Sequence, residues 1–303
     1  MLHTALAVVV AMALAVTAPP TQFVLEPDGS SGRTTSISRL PTMKAVKKTI
    51  AVYYGDPGTG IADKADSPYI DEMQTILAKQ EAALPRIRDA ALARGEEPAI
   101  VLDVDDTTLL TYDLEVGVSD YDFSRASKND WVKHRRFPAT PGMLDFVATA
   151  ESLGFTVFGI TGRSDSQKAL TLANLRRVGY DDFVASRFFA RPAGKRPAYL
   201  TCRSATCTTV EFKSLTRKYI ERLGYDIELN VGDQWSDLQG GHADRTLKLP
   251  NPTYVIAGID DPKLTPRIRF TMKADGSSGL TAGGEGIPNH DVVEATLAIA
   301  RQR

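Results

Sequence analysis

The sequence predicts an α/β protein with a mainly parallel sheet, on two observations. Strand candidates at residues 99–104, 155–161, 183–186 and 227–232 alternate with helix candidates at 142–153, 166–177 and 212–223, the pattern of a parallel sheet covered on both faces. The first strand, Ala99-Ile100-Val101-Leu102, runs directly into Asp103-Val104-Asp105-Asp106-Thr107. Three carboxylates crowded at the end of a buried strand repel one another unless a cation or a proton resolves their charge. In open α/β sheets that end is also where ligands bind.

The elements follow in chain order. Residues 1–18 are nearly all Ala, Val, Leu and Met, a length and composition that suit a secretory signal peptide. Ala13-Leu14-Ala15 or Val16-Thr17-Ala18 would precede cleavage, although the segment lacks the usual Lys or Arg and Pro19 fits poorly after Ala18. Residues 19–43, rich in Pro, Ser, Thr and Gly, read as a linker or extended arm. A long helix should then open with Ser67 as N-cap and Pro68 at the first helical position. Ile70, Met73, Ile76, Leu77, Leu84 and Ile87 recur at helical spacing, Pro85 should kink or split the helix, and it should end near Arg94-Gly95. Between the first two strands, residues 111–138 exceed a simple connection and carry Tyr112, Tyr121, Phe123 and Trp131. They read as a small cap beside the strand ends, or else as a packed insertion that touches no substrate. Residues 44–260 thus form the main domain, and 261–303 a C-terminal extension with a short helix at 292–300.

Composition narrows the partners. With 303 residues, 43% hydrophobic, 24% charged and a net charge of −1, the chain can bury a sizeable core and has no bulk positive charge for binding nucleic acid. No internal apolar stretch approaches the ~20 residues that span a bilayer. Cys202 and Cys207 are the only cysteines. In an exported protein they would pair as one local disulfide, and in a cytosolic one they would be free thiols; a zinc site lacks a second pair of ligands.

Three further features follow Asp103. Phe158-Gly159-Ile160-Thr161-Gly162-Arg163 puts a hydroxyl and a glycine-rich turn at the end of the next strand, whose backbone N–H groups and following helix N-terminus suit phosphate. Lys213 stands near a helix start, and Gly232-Asp233-Gln234-Trp235-Ser236-Asp237 ends another strand with two carboxylates four residues apart. Each piece is common on its own. In this order, together with Phe137-Pro138-Ala139-Thr140-Pro141-Gly142-Met143, they resemble the haloacid-dehalogenase-like superfamily. Within it they look like the branch of secreted acid phosphatases and vegetative storage proteins, which includes class B-type acid phosphatases. The branch usually has Glu where this chain has Asp106.

The resemblance implies a Rossmann-like three-layer sandwich with a small cap and a Mg²⁺-dependent phosphomonoesterase activity. Asp103 would be the nucleophile, and Asp105 the general acid and base. Thr161, Gly162 and Lys213 would hold the phosphoryl oxygens, and Asp237 would orient Lys213 or metal-bound water. Asp103, Asp233 and the backbone carbonyl of Asp105 would hold Mg²⁺. Asp106 and Arg163 are left as solvated loop charges or ion-pair partners, and His134 and His242 as surface residues. The implied substrate is a small phosphate ester, with a nucleoside monophosphate stacked on the aromatics of residues 111–131 as the candidate, met outside the cytoplasm. The alternatives are a phosphotransferase on the same fold and a non-catalytic storage or binding protein.

Overall fold

The structure is a computed structural model that describes residues 42–254 except Asp182, and the backbone of four further strands. Three helices precede the sheet. α1 (Met43–Tyr53) is capped by Thr42, whose hydroxyl accepts from the Ala45 N–H at 3.2 Å, and it was not expected from the sequence. α2 (Pro68–Glu81) starts at the Ser67 cap as expected, and Pro85 lies in the first turn of a separate helix, α3 (Leu84–Ala93). The expected long helix is therefore split rather than kinked, because proline cannot supply the amide that would continue α2.

The sheet combines β2 (Glu97–Leu102), β3 (Thr156–Ser164), β4 (Phe188–Arg191), β5 (Tyr225–Gly232) and β6 (Thr246–Lys248). Its order is β4-β3-β2-β5-β6, every pairing is parallel, and β2 is central. Alternation along β2 divides the core. Ile100 and Leu102 join one cluster with Ile50, Leu77, Leu84, Val147 and Leu172, while Ala99 and Val101 join the other with Phe158, Phe212 and Ile220. The first cluster draws on α1 to α3 and on α6 (Met143–Ser152) and α7 (Lys168–Val178); the second rests on α8 (Thr209–Arg222). The result is the three-layer α/β sandwich that the sequence predicted. No helix among the described residues is long and apolar enough to cross a membrane.

Three expectations are corrected. The strand expected at 183–186 lies at Phe188–Arg191: Ala185–Arg187 forms a 3₁₀ turn, and Phe183 packs edge-on against Phe188 in the core, their centroids 6.1 Å apart. Both runs are apolar, and only pairing with β3 distinguishes them. Within the expected linker, Thr21–Leu25 forms β1, which pairs antiparallel with β7 (Arg267–Met272) in a second sheet that continues through β8 (Ser278–Gly283) and β9 (Glu294–Ala295). Thr-Gln-Phe-Val-Leu favours strand once a partner is present. The helix expected at 292–300 has strand at Glu294–Ala295 instead, and its other residues lie outside the described ones. The expected signal segment 1–18 also lies outside them.

Candidate active site

The parallel sheet brings the distant motifs to one edge. β3, β2 and β5 are adjacent, so the residues at their C-terminal ends (Thr161, Asp103 and Asp233) become neighbours although up to 130 residues apart in sequence. Asp103 stands one residue past β2 and donates its N–H to the Val231 carbonyl of β5 at 3.0 Å. The chain then turns tightly: Thr108 and Leu109 N–H groups bond the Val104 carbonyl at 3.0 and 2.8 Å, and Asp106 has φ +53°. Asp tolerates this left-handed conformation better than most residues.

Lys213, buried on the second turn of α8, donates its ammonium to Asp103 Oδ1 and to Asp237 Oδ1. Asp237 lies in the short helix α9 (Trp235–Leu238) after β5. Its backbone carbonyl accepts from Arg217 Nη1 at 2.6 Å and Asn230 Nδ2 at 2.8 Å, and its carboxylate from the Gln234 N–H at 2.9 Å. Asp233 Oδ1 accepts from Thr107 Oγ1 at 3.3 Å, and its Oδ2 from Gln234 Nε2 and Asn251 Nδ2, both at 2.8 Å. Oxygen atoms of Asp103, Asp233 and Asp237 lie within 4.8 Å of one another.

The charges do not balance. Burial pushes the Asp103 carboxyl well above its ordinary range; Lys213 opposes this, and Asp237, Asp233 and Asp105 add to it. Burial, reinforced by Asp237 and Asp106, pushes Asp233 up to about 7. Burial also disfavours the Lys213 ammonium, but Asp103 and Asp237 outweigh it and raise its pKa. A buried group of carboxylates with one directly paired ammonium has room for more positive charge, and its all-oxygen donors suit a hard divalent cation. The residues therefore fit a divalent cation chemically.

Asp105 points elsewhere. Arg163 grips it with Nε 3.2 Å from each oxygen and Nη2 2.6 Å from Oδ1, and Lys128 Nζ stands 3.1 Å from Oδ2. Burial alone would raise its pKa, but Arg163 and then Lys128 prevail and hold it well below the usual carboxylate range. Arg163 is thus an ion-pair partner, buried with its guanidinium 4.5 Å over the Phe137 ring. Thr161 is buried, and its hydroxyl accepts from the Arg163 N–H at 3.1 Å. The expected glycine-rich turn after it is instead the end of β3, with a pairing irregularity between Thr161 and Ser164. An added Cβ at Gly162 would meet nothing within 4 Å beyond its chain neighbours, so the side-chain position there is open.

Asp106 has neither role expected of it. It is buried, accepts from the Thr111 N–H at 2.8 Å and from the Thr111 hydroxyl, and has no ion pair among the described residues. Burial pushes its carboxyl up to about 7, against the Thr111 hydrogen bonds. Residues 111–138 contain α4 (Tyr112–Glu115) and α5 (Arg125–His134). Their aromatics mostly face inward. The Tyr112 hydroxyl donates to Asp56 at 2.9 Å, its ring packs on Tyr54, Trp131 packs on Phe137, and only Phe123 among the four is exposed. His134 contacts Asp130 and His242 contacts Glu221, both on the surface as expected. Cys202 and Cys207 form the disulfide.

Sequence reading missed Lys128, Gln234, Asn251 and Arg217. Gln234 was within reach of it, being inside the Gly-Asp-x-x-x-Asp motif. The other three act through contacts that no local spacing announces.

Comparison with known proteins identifies a family and relatives that match part of the chain. The family described as HAD superfamily, subfamily IIIB (acid phosphatase), matches residues 60–257. The chain is 34% identical over 160 residues to the stem 28 kDa glycoprotein of Glycine max, covering 52% of this chain and 59% of that protein. It is 35% identical over 161 residues to acid phosphatase 1 of Solanum lycopersicum (52% and 58%) and 28% identical over 159 residues to vegetative storage protein 1 of Arabidopsis thaliana (52% and 54%). The matched part therefore spans little more than half the length of these relatives.

Proposed function

The chain belongs to the HAD superfamily, subfamily IIIB (acid phosphatase), and from that membership and the geometry above we propose that it is a Mg²⁺-dependent phosphomonoesterase. It hydrolyses small phosphate esters through an aspartyl-phosphate on Asp103. The observation that carries this reading is one buried ammonium, Lys213, held by both Asp103 and Asp237 beside Asp233.

Asp103, Asp233 and the backbone carbonyl of Asp105 would hold the cation. When bound, Mg²⁺ supplies the positive charge that lets a carboxylate approach a phosphate dianion. An Asp103 oxygen bonds to phosphorus as the bond to the leaving oxygen breaks. Asp105 gives that oxygen a proton, then recovers one from the water that cleaves the aspartyl-phosphate. Arg163 and Lys128 favour its ionised form in the free protein, the form needed for the second step. A phosphate dianion entering nearby offsets those cations and makes the protonated form accessible for the first. Lys213, the Thr161 hydroxyl and the Gly162 N–H hold the phosphoryl oxygens, and Asp237 keeps Lys213 in place.

A nucleoside monophosphate is the specific candidate within the substrate class, with Phe123 as the insertion's exposed aromatic face. The Cys202–Cys207 disulfide supports a site of action outside the cytoplasm. The storage role suggested by the name of one relative is disfavoured, because Asp103, Asp105, Thr161, Lys213 and Asp233 are all retained. Asp103→Asn should abolish hydrolysis of p-nitrophenyl phosphate while the protein stays folded, and chelation should stop the wild type until Mg²⁺ is returned. Undiminished turnover by Asp103→Asn would sink the reading.

A further inference from the structure

Asp105 is gripped from two sides by cations of different origin. On one side Arg163 belongs to the sheet and is held on several sides: it is buried, stacked on Phe137, and donates Nη1 to Thr171 Oγ1 at 3.3 Å as well as binding Asp105. Its closest contact is with Oδ1, at 2.6 Å. On the other side Lys128 comes from α5 in the insertion, 3.1 Å from Oδ2 and 22% exposed. α5 is itself anchored. Ser124 caps it by accepting from the Ser127 N–H at 3.2 Å, and Asn129 Oδ1 accepts from Gln167 Nε2 at 2.8 Å, tying the helix to the segment after β3.

Arg163 gives Oδ1 its short contact and reaches Oδ2 only through the shared Nε at 3.2 Å, so Lys128, at 3.1 Å, is the contact made to Oδ2 alone. We propose that Lys128 is a positioning residue for Asp105, through which the insertion takes part in the chemistry instead of only covering the strand ends. The inference rests on the reading of Asp105 as the proton donor. In the first half-reaction an Asp103 oxygen bonds to phosphorus, the bond from phosphorus to the leaving oxygen breaks, and the Asp105 proton passes to that oxygen. An alkyl leaving group needs the proton, whereas p-nitrophenolate departs without it. A misaligned Asp105 therefore slows the first half-reaction, which kcat/KM reports, selectively for alkyl esters, whereas the second half-reaction, common to both esters, slows equally. Loss of a phosphate contact or general loosening of the insertion slows both.

The test compares kcat and KM for glycerol 2-phosphate and p-nitrophenyl phosphate in wild type, Lys128→Met and Lys128→Arg. Lys128→Met should lower kcat/KM for the alkyl ester about 100-fold, the lower end of a general acid's contribution, and kcat/KM for the nitrophenyl ester by less than about tenfold. Lys128→Arg should recover most of the difference, since it returns a cation at that place. Equal losses of kcat/KM on both esters, or no loss, overturn the inference and leave the phosphatase reading intact. Wild-type protein that hydrolyses neither ester overturns the phosphatase reading itself, and the inference with it. Lys128→Gln, which keeps a polar end without the charge, serves if the methionine variant does not fold.

Discussion

Asn251 donates its side-chain amide to Asp233 Oδ2 at 2.8 Å, from a loop 18 residues further along the chain. The amide cannot turn over freely: its Oδ1 accepts from the Thr253 N–H at 3.0 Å and the Thr253 hydroxyl at 2.6 Å, so the NH₂ must face the carboxylates. Asp106 Oδ2 lies 3.4 Å from the same nitrogen. With Gln234 on the same Asp233 oxygen, the carboxylate is oriented before any cation arrives. Outer partners of this kind typically change metal affinity ~10- to 100-fold. Asn251→Ala should therefore weaken Mg²⁺ binding by about that factor in calorimetric titration. An unchanged affinity would remove Asn251 from the metal site.

Gly232 explains the glycine of its motif. Its φ is not positive, so the constraint is steric: an added Cβ would stand 2.4 Å from Asp237 Cβ and 2.5 Å from Asp237 Oδ2. Gly232→Ala must push Asp237 away from Lys213. Overpacking costs about 1–3 kcal/mol, which denaturant titration would register, and kcat should fall with it. Wild-type stability and turnover together would mean that the Asp237–Lys213 contact is dispensable.

Acidity and the cation should trade against each other. Asp233 and Asp106, both pushed up to about 7, bind protons more tightly folded than unfolded. In the metal-free protein their stabilising contribution is complete below the ordinary Asp range near pH ~4 and is lost as pH rises through about 7. Asp105, held below its ordinary range, acts in the opposite sense: its contribution is present above about pH 4 and is lost toward acid. Melting in chelator at pH 4 to 7 should show the wild type losing stability relative to Asp233→Asn as pH rises. Parallel curves for the two proteins would refute the assignment to Asp233.

The disulfide closes a short loop just before α8, and Arg191 Nη2 donates to the Cys207 carbonyl. Chain entropy for so short a loop gives about 2 kcal/mol. The double variant Cys202→Ser, Cys207→Ser should lose about that much stability in denaturant titration. Its kcat should stay near that of the wild type, because Lys213 is positioned by Asp103 and Asp237.

Some of this was legible in the chain itself. The alternation of apolar runs and helical spacing yields the layered sheet, because burial on both faces demands it. Ser67-Pro68 and Pro85 mark helix boundaries through local backbone chemistry alone. The acids after Leu102, the hydroxyl of Thr161, Lys213, and Asp233 with Asp237 stand out because chemistry needs those types at strand ends. Segment 183–191 was less legible, since two similar apolar runs compete and only pairing with β3 chooses between them. The terminal segments were misread for a related reason: β1 exists through a partner more than 240 residues away.

For the cluster after Leu102, the sequence by itself determined that a charge problem exists there and which residue types could resolve it. Tertiary structure decided how the charges are shared. Asp103 turns toward Lys213, Asp105 toward Arg163 and Lys128, and Asp106 inward to Thr111. These partners come from β3, α5, α8 and the turn before α4. A carboxylate's role depends on what surrounds it in three dimensions, because Coulomb energy and desolvation vary with distance and burial and not with position along the chain.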